Sequence, residues 1–226
     1  MAENKMQNGI FLAELAHDMR APLAVINGYA NAVLDGTIPP ERTKYYMEII
    51  ASESKRLCNV VESVLAAARL EQGAVAVTPT LFKLDDAVSR AILGFERVIE
   101  EKRLSVKAEL ANASVFADSA LIGGVITNLL ENAVKYTPAG GEIIVSVSDA
   151  GEKVRFTVKN TCQAISQEEL NRLTERFYRA QNATESGEKG TGLGLYTVSA
   201  VLALHNERLE IKYSGGLISF SFCLKK

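Results

Sequence analysis

The chain has no tryptophan, three cysteines and two histidines among its 226 residues, and each scarcity removes a class of protein. Cys58, Cys162 and Cys223 lie far apart and form no CxxC pair. Neither a disulfide framework nor a zinc site is expected, and a reducing compartment is the simple reading. Neither sign of charge dominates: 25 basic against 27 acidic residues leave −2, which excludes the broad positive field of a nucleic-acid binder. No apolar run approaches the roughly 18 residues of a membrane span. The opening MAENKMQNG lacks a signal-peptide core, so any membrane anchor is expected outside these residues. Repeats and low-complexity tracts are missing too. What is present, 47% hydrophobic and 23% charged, is an ordinary globular composition, long enough for one large domain or two small ones.

The first 73 residues read as a helical hairpin. Leu12, Leu15, Met19, Leu23 and Ile26 recur at helical spacing in a segment expected to be helical from about 8 to 35. The run DGTIPPE then marks a turn, with Pro39 and Pro40 allowed at the opening of the next helix. A second helix is expected over 41–71 with Tyr46, Ile49, Ile50, Leu57, Val60, Val61, Val64, Leu65 and Ala68 on its stripe, closed by Gly73. Cys58 falls on this stripe as core. One hairpin cannot cover both of its stripes, whereas two hairpins paired as a four-helix bundle can, so a homodimer is expected.

After a linker at 74–80 the texture changes. LFKLDD reads as a strand running into a helix that continues to about Lys102. Strands follow at 104–110 and 114–117, then a helix from Asp118 to Tyr136. Two alternating segments, 141–149 and 152–160, are joined at Ala150-Gly151 as a hairpin. Ser166 and Glu169 form a capping box at the head of a helix over 166–177. Residues 180–192 read as a polar, mobile loop; a helix at 193–205 and strands at 208–213 and 217–224 complete an α/β sandwich with helices on one sheet face.

Three constellations carry chemistry. In NLLENAVKYTP, Asn128 and Asn132 stand at i and i+4 with Lys135 three residues on, so all project from one helix flank. An amide oxygen is a hard ligand suited to Mg²⁺, and a lysine beside it suits phosphate. Taken alone, such a pair is more often a solvated face. In GEKGTGLGL, Gly190, Gly192 and Gly194 alternate ahead of an apolar helix, where bare backbone and free amides can approach phosphate. Alone, this is more often a turn, and the Walker lysine is missing. In ERFYRA, Phe177 reads as core, while Arg176 and Arg179 are available to phosphate or serve as surface charges.

The remaining feature is LAELAHDMRAPLAVINGY. It places His17 beside Asp18 on an amphipathic helix and Pro22 five residues later. A neutral imidazole with a neighbouring acid is a nucleophile with a base. Adjacent helical residues do not face each other, so Asp18 must lean across. Pro22 removes an amide donor one turn on and loosens the helix there.

In this order, over about residues 10–224, the motifs resemble the sensor histidine kinases of two-component systems. The resemblance implies a multidomain α and α+β protein. Residues 1–73 would be the dimerisation and phosphoacceptor hairpin, and 81–226 an ATP-binding domain of the type shared with Hsp90 chaperones and type II topoisomerases. It implies that His17 accepts the γ-phosphoryl group of ATP with Asp18 as general base and Arg20 nearby. It implies that Asn132 holds Mg²⁺ with Asn128 beside the triphosphate. Lys135 and Tyr136 would line the phosphates, and Gly190, Thr191, Gly192, Leu193 and Gly194 would form the lid hinge. Asn160, Ile165, Phe177 and Arg179 would complete the nucleotide site. The phosphoryl group would pass to an aspartate on a response-regulator receiver domain docked low on the bundle. Family habit makes such a chain the cytoplasmic portion of a membrane-anchored receptor.

The wider fold's ATPases carry a water-activating glutamate where Asn128 stands, so slow hydrolysis is implied, which argues against a free-standing ATPase. Two departures stand out. The family's adenine-site Asp-x-Gly-x-Gly is here NTCQAIS, with Asn160 for the acid and Cys162 and Ala164 for the glycines. A neutral hydrogen bond replaces a charge-assisted one, and weaker nucleotide affinity is expected. Ala21 replaces the polar residue with which phosphatase-competent relatives orient water, so phosphatase activity by that route is not expected. A degenerate, weakly nucleotide-binding regulatory dimer is the competing reading. His205, near a helix end, reads as structural, and Cys162 as a small filler.

Overall fold

A computed structural model describes residues 2–181, 183 and 190–226, and at 2–15, 17 and 18 the backbone only. The loop expected at 180–192 therefore falls partly outside the described residues, at 182 and 184–189. The chain divides into two compact units, Met1–Ala68 and Arg69–Lys226.

The first unit is the hairpin of α1 (Ala2–Leu34) and α2 (Thr43–Glu71), joined through a single 3₁₀ turn at Pro40–Arg42. α1 begins earlier than its apolar pattern indicates, because the polar stretch after Met1 contains no proline to stop it. It runs without interruption through Pro22, which supplies no amide to the Asp18 carbonyl four residues back. At the turn, Gly36 takes a left-handed φ of 76° and Ile38, buried, bonds back to the Ala32 carbonyl at 2.9 Å. Tyr29 and Tyr46 pack across the hairpin with ring centroids 4.9 Å apart. Along the rest, apolar side chains stand in water: Leu34 is 84% exposed and Tyr45 62%, with Met47 and Leu65 at half. Cys58, expected in the core, is exposed on the single chain.

The second unit contains a two-stranded antiparallel sheet, β1 (Thr80–Lys83) with β3 (Ser114–Ala117), and a five-stranded sheet. The latter is built from β2 (Ser105–Leu110), β4 (Glu142–Ala150), β5 (Lys153–Thr161), β6 (Glu210–Ser214) and β7 (Leu217–Lys225), in the order β2-β4-β5-β7-β6. Only β2 and β4 among these neighbours run parallel, so their connection must cross over, and α5 (Ser119–Tyr136) lies in that connection. α5 buries Ile122, Val125, Ile126, Leu129, Leu130, Ala133 and Val134, a 3.6-residue repeat. The strands answer with a repeat of two: Val154, Phe156 and Val158 on β5 and Phe220, Phe222 and Leu224 on β7. Phe156 and Phe222, register partners, hold their rings 5.1 Å apart. Each such large side chain contributes roughly 1.5–3 kcal/mol on burial.

Two expected helices are shorter than their patterns. The segment from 84 to 102 is broken into α3 (Leu84–Leu93) and α4 (Glu96–Glu101), because Phe95 leaves helical geometry at ψ 3°. α6 (Gln167–Arg172) opens with the expected Ser166–Glu169 capping box but stops well before residue 177. The final described helix, α7 (Gly194–Leu204), lies against α5.

Asp118 caps α5. Its Oδ1 accepts from the amides of Ala120 and Leu121, both at 3.1 Å, and its Oδ2 from Thr78 at 2.9 Å. Those amides, Thr78 foremost, hold the carboxyl below the usual carboxylate range. The contribution is therefore complete above about pH 4, the ordinary carboxylate value, and is lost as pH falls through the depressed one. The Asp118 amide donates to His205 Nε2 at 3.1 Å, and His205 Nδ1 faces the Val201 carbonyl at 2.9 Å. The network thus assigns the ring proton to Nδ1, and the expected structural role of His205 is the observed one. Asp118→Ala is expected to cost about 1–2 kcal/mol at neutral pH and to flatten the acid limb of stability. Chemical denaturation at pH 7 and pH 3 checks both, and equal losses at the two pH values would refute the charge argument.

Candidate functional site

The face of α5 beside its buried stripe carries Asn128, Asn132, Lys135 and Tyr136, each half-exposed. Asn128 Nδ2 is tied to the Gly124 carbonyl one turn back at 3.1 Å, which leaves its Oδ1 turned outward from that bond. The start of α7 comes directly against this face. A Cβ on Gly194 would lie 3.4 Å from Asn128 Oδ1 and 3.9 Å from Asn132 Nδ2. A Cβ on Gly190 would lie 2.9 Å from Lys135 Nζ and 3.5 Å from Tyr136 Oη. Two sequence motifs more than fifty residues apart thus form one wall, kept open by the absence of side chains on the glycines.

Gly192 secures the third motif. Its φ of 66° is left-handed, and a Cβ there would meet the backbone of Phe177 at 2.6 to 2.8 Å. Phe177 is itself left-handed at φ 65°, and its amide donates to the Gly192 carbonyl at 3.1 Å. A bulky residue at positive φ is uncommon and costs of order 1–3 kcal/mol. Phe177 is half-buried, its main chain packed against Gly192. Arg179 donates to the Ala183 carbonyl at 2.8 Å. Arg176, which the sequence left between phosphate ligand and surface charge, pairs with Glu71 at 2.5 Å and stacks on the Phe177 ring, 4.6 Å from its centroid. Glu71 also accepts from the Tyr196 hydroxyl at 3.3 Å. Burial, then the neighbouring Glu71 carboxylate, raises that hydroxyl's pKa and keeps it a donor. Glu71 and Tyr196 belong to the second unit and were not legible in the sequence, where Glu71 is only the end of a helix.

Leu193 is fully buried, and its amide is engaged by Thr191 Oγ1 at 3.3 Å. Its contribution to the wall is packing. Asn160 stands at the end of β5, in register with Ile143 and Ile218, and is 2% exposed. Its Nδ2 donates to the Thr161 carbonyl at 3.1 Å, so Oδ1 is its acceptor. Ile165 is half-buried against the core, as is Cys162, whose thiol burial pushes up. The backbone of His17 and Asp18 lies within α1 in the first unit. Among the described residues no cluster of three or more His, Cys, Asp or Glu side chains is placed to hold a metal, and none of the helices is long and apolar enough to cross a membrane.

Residues 117–226 match the family described as histidine kinase-, DNA gyrase B- and HSP90-like ATPases, and residues 7–73 match the His kinase A (phospho-acceptor) domain. The chain is 26% identical over 204 residues to the sensor protein SrrB of Staphylococcus aureus, which covers 89% of this chain and 35% of that one. It thus spans about a third of the length of that curated relative. Among solved structures it is similar to the Acinetobacter baumannii histidine kinase AdeS, with TM-score 0.75 and 20% identity over 92% of this chain and 97% of that one. It is also similar to the histidine kinase ThkA in its complex with the response regulator TrrA, with TM-score 0.73 and 24% identity over 100% and 64%. With both of its units matched in the order in which such proteins carry them, the chain belongs to the sensor histidine kinases.

Proposed function

We propose that this chain phosphorylates itself on His17 with Mg-ATP and passes the phosphoryl group to an aspartate on a response-regulator receiver domain. One observation carries the reading: Asn128 and Asn132 on α5 face Gly194 at the start of α7, and Lys135 faces Gly190 just before it. That wall offers amide oxygens and a cation to a triphosphate with backbone close by. Residues 1–73 serve as dimerisation and phosphoacceptor hairpin, 74–80 as linker and 81–226 as the ATP-binding domain. The exposed apolar side chains along the hairpin support a homodimer built on it, since a lone hairpin leaves them in water. ATP, the regulator and three free cysteines suit the cytoplasm; a membrane anchor would belong to a longer chain.

A histidine ring nitrogen attacks the γ-phosphorus, the bond from that phosphorus to the bridging oxygen breaks, and ADP leaves. Asp18 takes the ring proton. Asn132 supplies the amide oxygen that suits Mg²⁺, with Asn128 beside it, and the glycine at 194 leaves room for phosphate oxygens. Bound there, Mg²⁺ would neutralise charge on the phosphates. Lys135, with Tyr136 and Gly190, holds the phosphate end, while Thr191, Gly192 and Phe177 set the hinge. Asn128 cannot take a proton from water, which spares the phosphoryl group for His17.

At the adenine end, Asn160 accepts from the base through Oδ1, with Ile165 and Arg179 along the same site. Asn160→Ala is expected to weaken ATP by about tenfold, the worth of one neutral hydrogen bond in a buried site. Asn160→Asp, the family's residue, is not expected to bind more tightly here, because one carboxylate oxygen would face the Thr161 carbonyl, now 3.1 Å from the amide nitrogen. Calorimetric titration with a non-hydrolysable ATP analogue measures both, and a clear gain for the aspartate would refute the argument.

Incubation of the purified dimer with γ-labelled ATP and Mg²⁺ tests the whole reading. Acid-labile, base-stable label is expected, transferable to a receiver domain. A folded dimer that takes up no label at millimolar ATP would overturn it.

A further inference from the structure

We infer that Lys102 is a positioning residue for the nucleotide, acting through the carbonyl end of α5; the inference rests on the ATP-binding reading above. Lys102 closes α4, thirty-three residues before Lys135, and its side chain reaches across to the last turn of α5. There Nζ donates to the carbonyl of Val134 at 2.9 Å and of Lys135 at 2.7 Å. The final carbonyls of a helix have no partner within it and carry its negative pole. At this terminus Thr137 serves the Ala133 carbonyl through both its amide, at 3.1 Å, and its hydroxyl, at 2.5 Å. Lys102 serves the next two.

The backbone fixes where the lysine starts. Arg103 takes a left-handed φ of 53° to end α4, and the Leu104 amide returns to the Ile99 carbonyl at 2.9 Å. The Lys102 carbonyl accepts from Gly140 at 3.0 Å, and Ser105 donates to Gly141 at 2.9 Å, so main chain and side chain of Lys102 clasp the same 134–141 segment. A side chain on Gly141 would meet Thr137 Cγ2 at 2.5 Å, so the segment is closed tightly on itself.

The two residues after Val134 are Lys135 and Tyr136, which stand against Gly190 in the proposed phosphate wall. If the last turn of α5 frays, both side chains lose their anchor while Asn128 and Asn132, further back, keep theirs. Lys102 therefore sets ATP affinity without touching ATP, and it leaves the transfer chemistry alone.

The test is nucleotide binding and autophosphorylation by the whole chain carrying Lys102→Met or Lys102→Arg, each also combined with Lys135→Ala. Lys102→Met is expected to raise the Kd for ATP and the KM by about tenfold, the scale of a cation at a helix terminus. Labelling at saturating ATP should stay within about twofold of wild type, and amide exchange should quicken at 133–138. Lys102→Arg, which keeps a cationic donor, should recover most of the affinity. In the Lys135→Ala background the Met substitution should add little. A Met variant that binds as wild type does, an Arg variant no better than Met, or full additivity with Lys135→Ala would each overturn the inference while leaving the kinase reading intact. A wild-type chain that binds no ATP would overturn the kinase reading, and the inference with it. Unfolding midpoints separate local from global loss; if Lys102→Met fails to fold, the Arg variant and its combination with Lys135→Ala decide by the same criteria.

Discussion

His17→Gln is expected to abolish acid-labile phosphorylation, a fall of at least about a thousandfold on the scale of losing a nucleophile, with ATP affinity unchanged within about twofold. The sequence offers only two histidines, His17 and His205. His205 has both ring nitrogens committed, Nε2 to the Asp118 amide at 3.1 Å and Nδ1 to the Val201 carbonyl at 2.9 Å. Phosphorylation there would break a helix cap to reach a half-buried ring. On the proposed function the attacking nitrogen is therefore that of His17, on α1. Asp18→Asn should slow labelling by about 10²–10⁴-fold, the usual contribution of a general base, again without changing affinity. The measurement is single-turnover labelling from γ-labelled ATP with acid and base stability of the product. Undiminished acid-labile label in His17→Gln would move the phosphoacceptor elsewhere and refute the assignment.

Gly192→Ala is expected to cost at least about a hundredfold in ATP affinity, by two additive mechanisms. The left-handed backbone penalises any Cβ by roughly 1–2 kcal/mol. The new carbon also falls 2.6 to 2.8 Å from the Phe177 main chain, where no flexible side chain can swing aside. Relief requires separating Gly192 from Phe177, which breaks the 3.1 Å bond between them and carries Gly190 and Gly194 away from α5. Gly151→Ala is the control. Its φ is 79°, yet a Cβ there meets nothing within 4 Å, so it should lose stability and keep its affinity. Similar affinity losses in the two variants would show that backbone strain alone is at work and that the Phe177 contact is unimportant.

Much of this was legible in sequence because it depends on neighbours along the chain. The Ser166–Glu169 box, the hairpin at Ala150-Gly151 and the helix from Asp118 to Tyr136 are all local patterns, and each stands where its residues indicate. The shared flank of Asn128, Asn132 and Lys135 on α5 was legible for the same reason, whereas Tyr136 came only with the family resemblance. What escaped was set by partners far away. α6 ends at Arg172 and the chain beyond it turns until Phe177 is held left-handed against Gly192, and nothing between 166 and 177 encodes that partner. The break at Gly94-Phe95 interrupts a segment read as one helix, with no proline to announce it. Lys102 looks like any charged residue at a helix end until the fold brings Val134 and Lys135 beneath it. Glu71 likewise gains its role only when Arg176 and Tyr196 arrive.

The bond between Asp118 and His205 has one more consequence. It joins the start of α5 to the end of α7, while Gly194, at the other end of α7, meets Asn128 and Asn132 further along α5. The two helices therefore lie alongside in opposite directions, like the arms of tweezers fastened at the heel. From Asp118 to Asn132 the arm is about 21 Å long at 1.5 Å per residue. A pivot of about 5° at the heel would part the tips by about 2 Å, so small rotations there are magnified where Gly194 meets Asn128 and Asn132.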